Sequence, residues 1–512
     1  MTRCSGVSQW SVRATLCIVE AQLNSKNFIA DVSMSRICLT ALLFVSLVQK
    51  TCEAQLDQRP LNFVVILVDD LGWTDLACFG SSYYETPHVD QLAAEGMRFT
   101  NGYAACAVCS PTRAAVQTGR YPGRLFVTDW IRSRFQGGKI PADRVNPSLR
   151  PPNQWKGRKL RVPPNALWME SDEITIAEAL KPAGYVSCYV GKWHLGTDPW
   201  YPTEQGYDYN FGGCDYGQPP SYFDPFNQPK GRHESLRKGI HNLPGRKQGE
   251  YLTDREADEA VEFIRQHAGQ PFYLCLANYA VHTPIQAKPE VTKKYESKPK
   301  TNQKNPKYAA MVESVDDAVG RITTTLDELK LADRTVIIFT SDNGGLLGPT
   351  NNAPLRSGKG HPFEGGIRVP WIVKWPGVVK PGTVNTTPVT STDIFPTIVK
   401  AAGRPLPDDR DLDGVDLKPA LTGGTVDRDA LFWHFPHYRH APGPYSIVRL
   451  GDWKLIKWYE GPRALFNLKS DLSEKENLAE QMPEKVAELD KRLIAHLKSI
   501  GAKIPLPPES PK

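Results

Sequence analysis

Asn62-Phe63-Val64-Val65-Ile66-Leu67-Val68, running straight into Asp69-Asp70, is the stretch on which the fold turns. A short apolar run, rich in β-branched residues and closed abruptly by charge, reads as a buried strand. Three runs of the same kind follow, at Tyr185 to Val190, Phe272 to Ala277 and Thr335 to Thr340. Helical patterns lie between them, at Val89 to Gly96, Glu173 to Leu180, Asp254 to His267 and Tyr308 to Leu331. Strands alternating with helices predict an α/β fold, a large and mostly parallel sheet sandwiched between helical layers. Each run also ends in an unusual polar cluster: Asp69-Asp70, then Gly191-Lys192-Trp193-His194, then Asn278 to His282, then Ser341 to Gly345. Ligands of open α/β sheets bind beyond the carboxyl ends of the strands, so four such clusters are expected to meet at one place.

Beyond residue 430 the character changes. Ser446 to Arg449, Trp453 to Trp458 and Ala464 to Asn467 are short strands separated by Gly451-Asp452 and Gly461-Pro462, as in an antiparallel sheet. Pro483 to Ser499 follows as an amphipathic helix with Val486, Leu489, Leu493 and Leu497 on one face. The expected division is therefore a leader (1–54), an α/β catalytic domain (55–429) and an antiparallel subdomain with a packing helix (430–512). In the leader, Met34-Ser35-Arg36, the apolar run Ile37 to Val48 and Cys52-Glu53-Ala54 read as a secretory signal starting at Met34 and cleaved after Ala54. That run is too short for a bilayer span, so an exported protein with no stable membrane span is expected. A net charge of +6 over 512 residues is too mild to imply nucleic acid and suits an anionic substrate. The ten cysteines show no small-scaffold spacing, and a chain this long needs no disulfide framework.

Cys109-Ser110-Pro111-Thr112-Arg113, followed by Thr118-Gly119-Arg120, is the most informative motif. As half of a zinc site, Cys106-x-x-Cys109 would need a second ligand pair, and none stands at suitable spacing. A thioredoxin-like reading would need a much smaller fold with the motif directly after a strand. The C-x-P-x-R pattern with its downstream TGR instead resembles the signature of the type I sulfatases, members of the alkaline phosphatase superfamily. The resemblance extends through ILVDDLGW, GKWHLG, SDNGG, GKGHPFEGGIRVP and LFNL…ENLA in the family's order, covering nearly the whole mature chain. It implies that Cys109 is oxidised to formylglycine by a formylglycine-generating or equivalent maturation enzyme.

Asp69, Asp70 and Asp342 with the carbonyl of Asn343 are a hard, all-oxygen set, suited to Ca²⁺ or Mg²⁺ rather than zinc. An isolated Asp-Asp pair is commonly a cap or a solvated turn; acidic clusters at two strand ends are harder to dismiss. The resemblance implies one calcium, with the modified Cys109 completing its coordination. It also implies Arg113 and Lys192 beside the nucleophile, His194 on the hydroxyl that loses a proton, and Lys359 and His282 on the sulfate and leaving-group side. The expected activity is a sulfuric ester hydrolase acting on a sulfated carbohydrate. Its rivals are a phosphonate or phosphate ester hydrolase of the same superfamily and an inactive sulfoglycan-binding relative. Loops 121–170, 199–250 and 434–445 are expected to shape the sugar pocket, with Trp130, Trp155, Trp200, Tyr216 and Tyr222 as stacking surfaces. Asn385-Thr386-Thr387 is a formal glycosylation sequon.

Overall fold

The structure, a computed structural model, describes residues 59–131, 158–231, 234–240 and 242–507. The expected signal segment and Trp155 lie outside the described residues. In chain order the strands are β1 (Asn62–Val68), β2 (Met97–Phe99), β3 (Gly102–Tyr103), β4 (Val186–Gly191), β5 (Tyr209–Phe211), β6 (Phe272–Ala277) and β7 (Thr335–Ser341). Then come β8 (Trp371–Lys374), β9 (Thr383–Asn385), β10 (Val389–Thr390), β11 (Ala430–Phe435), β12 (Tyr445–Leu450), β13 (Trp453–Trp458) and β14 (Arg463–Asn467).

Eight of these form one sheet in the order β5-β4-β6-β1-β7-β8-β2-β9. The five strands from β5 to β7 are mutually parallel, and β8 runs against β7 and β2. The four strands expected from the sequence are thus adjacent in the sheet and share a direction, so their carboxyl ends share an edge. Every residue of β1 is buried, for a reason visible in its alternation. Val64, Ile66 and Val68 pack on one face with the helices Leu252–Gln266 and Pro306–Glu328, while Phe63, Val65 and Leu67 pack on the other with Cys109–Thr118 and Ile394–Ala401. Each such side chain withdrawn from water contributes about 1.5–3 kcal/mol, which a run with polar positions would forfeit on one face.

Helix starts differ from the periodic reading by a few residues, and caps explain why. Glu173 and Ile174 lie outside the helix Ile176–Leu180, because Thr175 and Glu178 close a capping box at Thr175. Pro306–Glu328 begins two residues before Tyr308, where the Asn305 side chain accepts from the amides of Lys307 and Tyr308. The C-terminal sheet has four strands, β11-β12-β13-β14, where three were expected. β11 lacks alternation because both of its faces are covered. Leu431, Trp433 and Phe435 meet Cys106, Ala107 and Val108, while Ala430 meets Leu489, Leu493 and Leu497 of the terminal helix Pro483–Ser499. One face of this small sheet therefore backs the segment that leads into Cys109. Among the described residues, no helix is long and apolar enough to cross a membrane.

Candidate active site

The strand ends are stitched together by backbone. Asp69 donates its amide to Ala280 O at 2.9 Å and accepts from Val281 at 2.7 Å, while Asp342 donates to Val68 O at 3.1 Å. Leu71 donates to Ser341 Oγ at 3.0 Å. Asp70 turns through φ 61, a left-handed conformation that aspartate tolerates better than most side chains. Gly191 is required at the end of β4: its φ is 91, and an added Cβ would lie 2.1 Å from Ala277 O. That close approach lets Lys192 donate its amide to the same carbonyl at 2.7 Å. Cys109 opens the helix Cys109–Thr118, where the peptide dipoles favour negative charge. Arg113, four residues on, shares its helix face.

These elements bring every expected site residue into one buried region. Lys192 Nζ lies 2.6 Å from Asp69 Oδ2, and Lys359 Nζ lies 2.6 Å from Asp70 Oδ1. Arg113 holds Asp342 with Nε and Nη2, each 2.8 Å from Oδ2, and reaches Lys192 O with Nη1 at 2.5 Å. One ligand atom each from Asp69, Asp70, Cys109 and His282 lies within 4.8 Å of the others. Asn343 meets the cluster through its amide, with its Oδ1 left unpartnered. Its amide nitrogen, not its carbonyl, faces Asp70 Oδ1 at 2.7 Å, since an N–H is what a carboxylate oxygen accepts.

Burial dominates the electrostatics. It pushes Asp69 well above the ordinary carboxylate range, with Asp342 adding to it and Lys192 opposing. For Asp70, burial is outweighed by Lys359, then His282 and Lys192, and the group stays ionised. Burial also raises the Cys109 thiol, against the pull of Lys192 and Lys359, so the unmodified side chain is no thiolate at neutral pH. His194 is driven well below its usual value by burial, then by Lys192 and Arg113. The neutral ring has Nε2 at 2.7 Å from Ile131 O, which assigns the proton to Nε2 and leaves the buried Nδ1 without a partner. His282 is lowered to about 3, by burial and then Lys359, against Asp70. Its Nδ1 donates to Thr283 O at 3.0 Å, so the Nε2 lone pair faces Asp70 Oδ2 at 3.6 Å.

The donor set fits a hard cation. Asp69 Oδ1, Asp70 Oδ2 and Asn343 Oδ1 are buried oxygens without hydrogen-bond partners. Such atoms cost roughly 1–3 kcal/mol each unless something positive meets them. Two lone pairs facing one another at Asp70 and His282 make the same demand.

The supporting roles of Ser110 and Tyr222 escaped the sequence reading. Ser110 Oγ donates to His194 O at 2.8 Å and accepts from Ile131 at 2.9 Å, locking the first helical turn to the histidine loop. Tyr222, expected as a sugar platform, is fully buried, its hydroxyl 2.6 Å from Tyr279 O and 2.8 Å from His282 O. Trp200 is likewise buried, stacked on Trp168 at 4.0 Å, and Tyr216 is buried too. Only Trp130 of the described stacking candidates is half-exposed. A lone serine or tyrosine has no spacing signal that would have marked it.

A doubly covered α/β sheet with cations, carboxylates and a buried cysteine gathered at its carboxyl edge fits a hydrolase of anionic esters. The sulfatase family profile matches residues 61–404, and that of the N-sulphoglucosamine sulphohydrolase C-terminal region matches 358–503. The chain belongs to the sulfatase family and is a sulfuric ester hydrolase of alkaline-phosphatase-like fold. A sulfatase of Formosa agariphila is 32% identical over 88% of this chain and 90% of its own length. The N-acetylgalactosamine-6-sulfatase of Canis lupus familiaris is 36% identical over 78% of this chain and 72% of its own. Among solved structures, Ps i-CgsB in complex with k-i-k-neocarrahexaose has a TM-score of 0.73 at 29% identity, covering 86% of this chain and 93% of that one.

Proposed function

We propose that this sulfatase removes an O-sulfate from a sulfated carbohydrate outside the cytoplasm, with residue 109, matured from cysteine to formylglycine, as its nucleophile. The observation that carries this reading is the environment of Cys109. A raised, protonated thiol is a poor nucleophile, yet it stands at a helix N-terminus among Arg113, Lys192 and Lys359. The carbohydrate substrate is supported by relatives named for N-acetylgalactosamine 6-sulfate and by the oligosaccharide complex. Export rests on the Met34 to Ala54 signal pattern, and the catalytic domain is taken as 55–429 with 430–512 as its subdomain.

Hydrated formylglycine supplies one hydroxyl to attack sulfur and a second whose deprotonation expels sulfate. Asp69, Asp70, Asp342 and Asn343 would hold Ca²⁺, which supplies positive charge to acidify a hydroxyl and neutralise the ester. Arg113, Lys192 and Lys359 bind the sulfate oxygens as charge moves toward the leaving group, in a site too buried for water to screen them. His194 Nδ1, the free lone pair of a ring pinned through Nε2, accepts the proton from the second hydroxyl. His282 Nε2, the lone pair of a neutral ring, takes the proton released by the attacking hydroxyl and passes it to the departing alcohol oxygen, while Asp70 stays ionised.

The test compares kcat/KM for 4-nitrophenyl sulfate, phosphate and a phosphonate monoester on one preparation. Steady sulfate turnover with slow or stalling phosphate is expected. Equal or better turnover of either phosphorus substrate would move the assignment to the phosphonate and phosphate hydrolases. Exhaustive chelation should remove activity and lower Tm together, with calcium restoring both. Restoration by zinc alone would contradict the oxygen-ligand assignment.

A further inference from the structure

Lys359 sits at the edge of a basic cluster that the chemistry above does not use. Its neighbour Gly360 adopts φ 84, donates to Ala107 O at 2.7 Å and so lies close to residue 109. Arg439 lies directly on this glycine: an added Cβ would be 2.2 Å from Arg439 Nε and 2.9 Å from His440 Nε2. His440 stacks on His361, with ring centroids 3.8 Å apart and planes 7° apart. Arg439 and His440 are exposed, His361 half-buried. Among the described residues, Arg439 has no carboxylate partner. Arg356 is the nearby exception to this freedom, its guanidinium laid on Phe363 at 3.8 Å and bonded to Glu474 O at 2.7 Å.

A guanidinium beside a site for anionic esters, with two imidazole edges next to it and no carboxylate partner among the described residues, has one obvious complement. We infer that Arg439, with His361 and His440, forms a subsite for a second anionic substituent on the sugar, a sulfate ester or a carboxylate next to the ester being cleaved. The inference rests on the sulfatase reading and narrows its substrate class to sugars carrying at least two negative groups. The cluster comes from the 434–445 loop and from the segment that carries Lys359, which places it beside the reacting sulfate. His361 is lowered to about 4 by burial and then by His440, Arg439 and Arg356, which leaves Arg439 as the fixed charge and the imidazoles as neutral donors. Planar, bidentate recognition of a sulfate or carboxylate is what a guanidinium does and an ammonium does not.

The experiment measures sulfate release from galactose and N-acetylgalactosamine as 6-sulfates, as 4,6-disulfates, and as 6-sulfates linked to a uronic acid, alongside 4-nitrophenyl sulfate. Wild-type enzyme is expected to favour at least one doubly charged sugar over its monosulfate tenfold or more in kcat/KM. Which one wins distinguishes sulfate from carboxylate. Arg439→Gln should collapse that ratio toward one, chiefly through KM, and Arg439→Lys should recover only part of it. No preference in the wild type, or a preference that survives Arg439→Gln, overturns the inference. Turnover of 4-nitrophenyl sulfate without any sugar in the panel also overturns it, leaving the sulfatase reading intact. Release from none of the substrates removes both.

Discussion

Two of the buried charge clusters among the described residues are matched to different degrees. Around Glu364 one carboxylate oxygen, Glu474 Oε1, lacks a hydrogen bond, and it is still ion-paired with Lys454. Lys454 Nζ stands 2.9 Å from Glu364 and 2.8 Å from Glu474, and Arg368 Nε stands 2.7 Å from Glu364. The hydroxyl of Tyr103 donates to Glu364 Oε2 at 2.7 Å and is itself held by Arg449. Although burial works against it, Lys454, Arg368 and Arg449 keep Glu364 ionised. This cluster ties the segment after Lys359 to β12, β13 and the Glu474 loop. At the carboxyl edge of the large sheet, by contrast, Asp69, Asp70 and Asn343 each keep one buried oxygen without a hydrogen bond. A satisfied cluster is an anchor, whereas an unsatisfied one of similar burial is built for something that binds.

Residue 109 offers the widest separation between the two. Cys109→Ala is expected to abolish sulfate release while changing the denaturation midpoint little, whereas Cys106→Ala should keep turnover. The wild-type tryptic peptide should be lighter at 109 by the difference between CH₂SH and CHO. An active Cys109→Ala enzyme, or full activity with an intact thiol, would sink the nucleophile assignment. In the anchor the effect should fall on stability instead. Lys454→Ala strands two buried carboxylates and should cost about 3–5 kcal/mol by urea denaturation. A loss below about 1 kcal/mol would mean that the cluster is no anchor.

Lys359→Ala tests the site side more finely. Its expected signature is a fall in kcat/KM of roughly 10²-fold, the scale of a lost charge contact in a desolvated site. An unchanged kcat/KM would take Lys359 out of sulfate binding.

The smallest effect concerns acid. His434 in β11 is buried, its Nδ1 2.8 Å from Ser446 Oγ and its Nε2 3.1 Å from Lys503 O. Burial lowers it to about 4, against about 6.5 when unfolded. Below pH 6.5 the unfolded chain takes up this proton and the folded one does not. Stability is therefore full above pH 6.5 and is lost as pH falls toward 4, by at most about 1.4 kcal/mol per unit. His434→Gln should flatten this slope between pH 6.5 and 5 in urea titrations. An identical slope in both proteins would remove His434 from the acid response.

The core strands were legible because burial on both faces leaves a continuous apolar run, and β6 and β13 occur at the bounds their residues predict. β11 was not legible, since an unbroken aromatic stretch has no period to separate it from a loop or a helix. The acidic pair and the lysine and histidine after β4 were legible as a site because each directly follows a strand. Ser110 and Tyr222 were not, because their importance lies in carbonyls 84 and 60 residues away in sequence.

The sequence by itself determined the order of the four core strands and the helices between them, the convergence of four polar clusters on one sheet edge, and the sulfatase signature around Cys109. These follow from local periodicity and motif, which the chain carries residue by residue. Only the tertiary structure decided which oxygens go unpaired, that Trp200 and Tyr222 are core rather than platform, and that Arg439 rests on Gly360. Each of those depends on how segments distant in sequence pack, and a buried polar atom has a partner or lacks one only once its neighbours are in place.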